Sequence, residues 1–364
     1  MTSNSGKRER ALLITGGAGF IGANFVHHWL GEHSDDRVIV LDALTYAGNR
    51  ASLATVENNP HFQFVKGDIG DADLVADILT DHQIDTIVHL AAESHVDRSI
   101  EASRVFLTTN VLGTHTLLQA ARERWESLGV SDRERFRFHH VSTDEVYGSL
   151  GPDDPAFTEQ TAYSPRSPYA ASKAASDHLV CAWHHTYGLP ITMTNCSNNY
   201  GPFQFPEKLI PLLLTCALDG RPLPVYGDGL NRRDWLHVGD HCRGISLAIE
   251  KGRVGECYNI GGGVELANLD LVRMLCERVD ALFAGDARLS ARFPHAVAAR
   301  GGRSFESVEM VADRKGHDRR YAVDASYAGA ELGYSARYSI GEGLEATIEW
   351  YLGNEGWWRG LVRG

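Results

Sequence analysis

The sequence predicts a doubly wound α/β protein with a parallel, Rossmann-type central sheet and a smaller α/β substrate lobe interleaved with it towards the C-terminus. Three observations carry this prediction. Short β-rich runs alternate with longer helical patterns through the first half of the chain. A glycine-punctuated turn joins the first run to the first helical pattern. From about Gly201 onward, Pro202, Pro206, Pro211, Pro222 and Pro224 break the alternation.

In chain order, strands are expected at Ala11 to Thr15, Arg37 to Asp42, Phe62 to Lys66, Thr86 to Ala91, Phe136 to Ser142 and Ile191 to Cys196. Between them, Gly19 to Gly31, Asp73 to His82 and Val105 to Leu128 space their apolar residues at three and four, as helices do. The run Trp235 to Glu250 resembles a return to the first domain. The expected domains are therefore residues 11–200 with a return near 228–262, and a second lobe of 201–227 and 263–350. The Ala/Gly/Arg-biased segment from Ala284 to Arg303 is expected to be a mobile surface loop.

With 364 residues, 43% hydrophobic and 23% charged, the chain has the composition of a globular protein and the length of about two domains. Its 47 acidic and 35 basic residues give a formal charge of -12, which argues against a general nucleic-acid or membrane-surface binder. The stretch from Ala291 to Tyr321 is different: seven basic residues against four acidic ones leave it net +3, suited to a local anion. Six cysteines with no CxxC pair read as reduced, mostly buried thiols. The doublets His139 with His140 and His184 with His185 diverge in a strand or helix, and no metal is expected. The first ten residues lack a signal-peptide core, and Pro211 interrupts the apolar run Leu209 to Leu218, so a cytoplasmic protein is expected.

The first expected strand runs into Gly16, Gly17, Ala18, Gly19, Phe20, Ile21 and Gly22. Glycines at 16, 19 and 22 permit a tight turn, admit a pyrophosphate against bare backbone and bring helix against strand, with the helix N-terminus at Phe20 and Ile21 facing the phosphates. Asp42, 20 residues after Gly22, ends the second strand, where a carboxylate accepts from both ribose hydroxyls and repels a 2′-phosphate. NAD is thus favoured over NADP. Asp68 and Ile69, after the third strand, could hold the adenine amino group and ring face.

Tyr169 and Lys173 sit one helical turn apart, about 6 Å along the axis. An ammonium beside a phenol makes the phenol a usable general base. The strand preceding them ends Val141, Ser142, Thr143, and the Thr143 hydroxyl can bond the substrate oxygen that Tyr169 deprotonates. Asp144 and Glu145 come next. Two adjacent carboxyl groups are what elimination of water requires: one acid for a leaving hydroxyl and one base for a carbon-bound proton. In a continuing strand their side chains would face opposite ways, so the strand must end near Thr143 and turn.

The set Thr143, Tyr169, Lys173 resembles the extended short-chain dehydrogenase/reductase family. The segments LDALTYAGN (41–49), LAAESHVDRSI (90–100), VSTDEVYG (141–148), SPYAASK (167–173), NNYGPFQFPEKLIP (198–211), RDWL (233–236) and ADRKGHDRRY (312–321) resemble its dTDP-glucose 4,6-dehydratase branch, over roughly residues 11 to 350. Arg166 and Lys315 stand where that branch commonly has asparagine and proline, and Gly263 to Ala267 differs from its usual polar run.

The resemblance implies a redox-neutral reaction with tightly held NAD. Tyr169, helped by Thr143 and Lys173, deprotonates the sugar C4 hydroxyl as hydride leaves C4. Glu145 then takes the C5 proton while protonated Asp144 donates to the departing C6 hydroxyl, and hydride returns to C6 with the C5 proton restored. It also implies a dTDP-sugar substrate bound by Ser94, His95, Asn198, Lys208, Leu209, Arg233, Asn268, Arg314 and His317, and a homodimer formed through helices near Val105 to Leu128 and Tyr169 to Tyr187. Arginine suits the diphosphate by its planar fork.

A 4-epimerase or decarboxylase of the same fold has no need for the Asp144–Glu145 pair, and an NAD-responsive binding protein has no need for Tyr169 and Lys173. Spacing alone does not separate thymidine from uridine or cytidine.

Overall fold

The computed structural model describes residues 9–314 and 316–362, so Lys315 lies outside the described residues. Among the described residues, twelve strands form three sheets. They are β1 (Ala11–Thr15), β2 (Arg37–Asp42), β3 (Phe62–Lys66), β4 (Thr86–His89), β5 (Arg137–Thr143), β6 (Ile191–Cys196), β7 (Asn198–Tyr200), β8 (Leu223–Tyr226), β9 (Arg232–His237), β10 (Cys257–Ile260), β11 (Glu265–Ala267) and β12 (Val308–Val311). The seven-stranded sheet has the order β10-β6-β5-β4-β1-β2-β3, and its β1–β2, β1–β4, β2–β3 and β4–β5 pairs are parallel. Chain order reverses between β1 and β4, which is where such sheets bind ligands.

The chain divides into two compact units. The first comprises 1–142, 168–194 and 245–257, and the second 143–167, 195–244 and 258–364. The units change over at 142, 167, 194, 244 and 257; the lobes expected from the sequence have their boundaries at 200, 228 and 262.

In the first unit, β1 and β4 are buried at every position, so these strands read as continuous apolar runs rather than alternating ones. Leu13, Ile39, Leu41, Ile87 and Phe138 belong to a core shared with Val75, Ile78 and Leu79 of the helix Ala72–Asp81 and with Leu117, Leu118 and Ala121 of the helix Thr114–Ser127. The helix expected over Val105 to Leu128 is not uniform. Leu107–Gly113 is a π-helical segment between the α-helices Ser103–Phe106 and Thr114–Ser127. Such wider turns re-aim side chains, and here the segment buries Asn110.

In the second unit, β11-β9-β7 and β12-β8 form small sheets over a core drawn from the helices Leu209–Asp219, Asn268–Gly285, Ile340–Gly353 and Glu355–Val362. Two expectations are corrected here. Pro211 does not interrupt the apolar run, because it falls in the first turn of the helix Leu209–Asp219, where backbone N–H groups have no intrahelical partner. Ala284 to Arg303 is not a plain loop. It contains the helix Ala287–Arg292 and a 3₁₀ turn at Ala298–Arg300, and it inserts Phe293 and Ala296 into the core, an anchor that its small, basic composition hides.

Candidate active site

Three of the glycines make the turn after β1 possible. Gly16 has φ +70°, and a Cβ there would lie 2.7 Å from the Ala91 backbone. A Cβ on Gly22 would lie 2.1 Å from the Gly16 carbonyl, while Gly19 is the N-cap of the helix Phe20–Glu32. That helix starts with no side-chain cap and no acidic residue in its first turn, leaving its N–H groups and positive dipole end to an anion. Half-buried Phe20 and Ile21 form its first turn.

Asp42 does more than end β2: its carboxylate accepts from Ala18 N (2.9 Å) and Leu44 N (2.8 Å), latching the glycine turn to the second strand. Burial pushes the Asp42 carboxyl up, and these two N–H groups oppose that shift. The bare-backbone cradle, the uncapped helix and the carboxylate at the strand end fit the pyrophosphate and ribose of a dinucleotide. Gly22→Ala should therefore weaken cofactor binding by at least about tenfold, about 1.4 kcal/mol, because the new methyl collides with the turn itself; dinucleotide titration of the variant checks this.

Asp68 is exposed and accepts from Gly70 N at 2.7 Å, whereas Ile69 points into the core, where a Cβ on Gly113 would meet its Cδ1 at 2.7 Å. Ser94 is half-buried, and His95 caps the short helix Val96–Glu101 through Nδ1, which accepts from Arg98 N at 3.4 Å.

Tyr169 and Lys173 are both buried on the helix Pro168–Tyr187, and Lys173 Nζ donates to the Val141 carbonyl at 3.0 Å. Asn110, which no sequence motif marks, ties this helix to the segment after β4. Its amide donates to Glu93 O (3.0 Å) and Ser172 Oγ (2.8 Å), and its Oδ1 accepts from Glu93 N (2.8 Å). Tyr169 also packs edge-on against Phe106, with ring centroids 6.4 Å apart.

The acidic pair belongs to the second unit. β5 ends at Thr143, and Asp144–Tyr147 forms a 3₁₀ turn, so the chain turns where the chemistry of the pair requires. Thr143 Oγ1 accepts from Glu145 N at 3.3 Å. Behind the turn, Tyr147 OH donates to Asn259 Oδ1 (2.9 Å) and accepts from Asn195 Nδ2 (3.0 Å). The two carboxyls sit in different fields. Burial pushes Asp144 well above the ordinary carboxyl range, with Glu145 and Asp234 adding to the rise, and its Oδ2 has no hydrogen-bond partner. Burial also raises Glu145, but Lys208, Arg233 and Arg314 pull it back, against Asp318. Neighbouring carboxyls whose environments separate them in this way make an acid and a base.

With Asp144 as acid and Glu145 as base, turnover is expected to be lost as pH rises through the elevated Asp144 pKa and as pH falls through that of Glu145. A bell-shaped kcat profile is expected, and Asp144→Asn should remove its alkaline limb.

Arg233 is buried in a cage. Its guanidinium donates to the carbonyls of Arg232 (2.7 Å) and Asp318 (2.8 Å) and lies 4.4 Å from the centre of the Tyr321 ring. Arg314 stacks on Tyr226 at 5.0 Å, and His317 Nδ1 pairs with Asp313 Oδ1 at 2.6 Å. Lys208 caps the helix Leu209–Asp219 through its backbone, and Leu209, the first residue of that helix, packs against the core. The side-chain carbonyls of Asn198 on β7 and Asn268 at the start of a helix are buried without a hydrogen-bond partner. Arg166 lies 3.8 Å from Asp318, and Tyr321 OH donates to Asp318 at 2.5 Å. Asp234, Asp318 and Tyr321, neighbours of the acidic pair, lie inside the RDWL and ADRKGHDRRY segments, and their positions there were the available signal.

A family model described as GDP-mannose 4,6 dehydratase matches residues 13–347. A dTDP-glucose 4,6-dehydratase of Xanthomonas campestris pv. campestris (strain B100) is 53% identical over 352 residues, covering 97% of this chain and 96% of the relative. The dTDP-glucose 4,6-dehydratase 1 of Escherichia coli (strain K12) is 49% identical over 355 residues, covering 95% and 94%. Among solved structures, the dTDP-glucose 4,6-dehydratase DesIV of Streptomyces venezuelae, crystallised with NAD bound, is 51% identical, with a TM-score of 0.82 and coverage of 96% of this chain and 99% of that one.

Proposed function

The chain belongs to the dTDP-glucose 4,6-dehydratase family, and on that premise we propose that it converts dTDP-glucose to dTDP-4-keto-6-deoxy-glucose with NAD held in the site. The observation that carries this reading is the adjacent Asp144–Glu145 pair, in which burial pushes the Asp144 carboxyl well above the ordinary range while Lys208, Arg233 and Arg314 limit the smaller rise that burial causes at Glu145. Neither epimerisation nor ligand sensing has a use for that pair.

NAD, when bound, supplies the acceptor of the C4 hydride and the donor that returns it to C6. Gly16, Gly19, Gly22, Phe20 and Ile21 would hold its pyrophosphate and Asp42 its adenosine ribose, with Asp68 and the backbone of Ile69, whose side chain is in the core, beside the adenine. Tyr169 takes the C4 hydroxyl proton, with Thr143 bonding the same oxygen and Lys173 favouring the ionised phenol. The 4-ketone acidifies C5–H, Glu145 removes that proton, and Asp144 protonates the C6 hydroxyl as it leaves as water. Glu145 returns the proton to C5. Arg233, Arg314, His317 and Lys208 bring positive charge to the diphosphate, Asn198 and Asn268 donate to it, Leu209 packs beside the nucleotide, and Ser94 and His95 approach the nicotinamide ribose or the sugar.

The protein acts in the cytoplasm as a homodimer in this reading. Exposed Val105, Leu107, Leu112 and Tyr187 give the helices of the first unit an apolar face for a second copy, and all six cysteines are free thiols. No described helix is long and apolar enough to cross a membrane.

Incubation with dTDP-, UDP- and CDP-glucose tests the function. A 4-keto-6-deoxy product from the dTDP sugar, without net NADH accumulation, is expected. An epimer, stoichiometric NADH or no turnover would contradict it.

A further inference from the structure

A buried hydrogen-bonded chain runs beneath the glycine turn to the helix that carries Tyr169. Thr15, the residue before Gly16, places Oγ1 2.8 Å from His89 Nδ1, and His89 Nε2 lies 2.9 Å from Thr114 Oγ1. Thr114 Oγ1 donates to the Asn110 carbonyl at 2.5 Å, which also accepts from Ser176 Oγ at 2.5 Å. Asn110 Nδ2 then donates to Ser172 Oγ (2.8 Å), and Ser172 Oγ donates to the Tyr169 carbonyl (2.7 Å). Thr15, His89, Asn110, Thr114, Ser172 and Ser176 are all buried.

The protons along this chain can be assigned by elimination. A carbonyl only accepts, so the single Thr114 hydroxyl proton points to Asn110, and Thr114 must accept from His89 Nε2–H. Burial, reinforced by His140 and Lys173, pushes His89 well below the ordinary histidine range. The ring is therefore neutral. Nδ1 accepts from the Thr15 hydroxyl, whose oxygen receives Ala91 N–H at 3.2 Å. Every donor from Ala91 to Asn110 points the same way, an arrangement in which successive bonds polarise one another. A one-atom change of tautomer would set two hydroxyls against the ring.

We propose that His89 is a positioning residue: as the neutral Nε2–H tautomer it fixes the spacing between the glycine turn and the helix presenting Tyr169, and so the alignment of bound cofactor with that phenol. This rests on the function proposed above. A histidine that only filled space would affect melting temperature and leave the turnover of folded enzyme alone. A spacing error of an ångström between reacting groups costs rate instead.

Thr114→Val, which at nearly constant volume removes the bonds to His89 and to the Asn110 carbonyl, and His89→Leu, which removes those to Thr15 and Thr114, test this on the NAD-saturated holoenzyme. Each is expected to lower kcat about 10- to 100-fold with KM for dTDP-glucose changed less than about twofold. His89→Gln, which can still donate to Thr114, should recover part of the loss. Nitrogen-15 chemical shifts of the wild-type imidazole should report Nε2–H with Nδ1 unprotonated at neutral pH. Wild-type kcat in Thr114→Val, or an Nδ1–H or doubly protonated ring, overturns the proposal, even where His89→Leu fails to fold. If wild-type protein dehydrates no sugar nucleotide, the proposed function fails separately. The role of His89 is then decided by the tautomer and by the NAD Kd of Thr114→Val, expected to rise about tenfold.

Discussion

Glu145→Gln is expected to fold, retain NAD and dTDP-glucose, and lose about 10²- to 10⁴-fold in turnover, the range for removing a positioned base. The loss should sit at C5. In deuterated water the wild-type enzyme is expected to exchange that hydrogen and the variant not to, because the variant lacks the carboxylate on which Lys208, Arg233 and Arg314 act. Asp144→Asn should lose product formation by a similar factor and yet keep exchange at C5, since it removes the acid that expels water and spares the base. The 3₁₀ turn is pinned from behind by Tyr147, Asn195 and Asn259, so neither near-isosteric change should disturb it. Mass spectrometry of recovered substrate separates the two steps. Undiminished turnover in both variants would remove the pair from the chemistry.

Tyr169→Phe is expected to be as severe and to fall earlier. Without the phenol oxygen the C4 hydroxyl keeps its proton, no ketone forms, and neither C5 exchange nor product should be seen, a loss of about 10²- to 10⁴-fold. The helix should tolerate the change, because Tyr169 packs through its ring on Phe106 and the helix is anchored by Ser172 and Ser176 through Asn110. A variant that still exchanges C5–H would place the oxidising base elsewhere.

Much of this site is legible in the sequence because its parts are local. The glycine turn, Asp42 and the Tyr169–Lys173 pair each lie in one strand–turn–helix stretch, where spacing dictates geometry. β1, β2, β3 and β6 fall where periodicity and β-branched runs place them. Residues that act across long sequence distances are not legible in this way. Asn110 reaches Glu93 and Ser172 only because the helix around it widens into a π segment, and no periodicity marks that widening. Asp234 and Asp318 act on the acidic pair from 89 or more residues downstream, so their influence depends on the folded second unit. Arg233 reads as a free phosphate binder in sequence, yet its guanidinium donates to backbone carbonyls while its charge still acts on Glu145. Phe293 and Ala296 show the reverse error, since a low-complexity composition conceals a buried anchor.

The central claim is that one enzyme oxidises C4, eliminates water and returns the same hydride to C6. Substrate carrying deuterium at C4 of dTDP-glucose tests it most directly. After turnover in ordinary water, mass spectrometry and NMR of the product should find the label on C6. Label retained at C4, or lost to solvent, would contradict it.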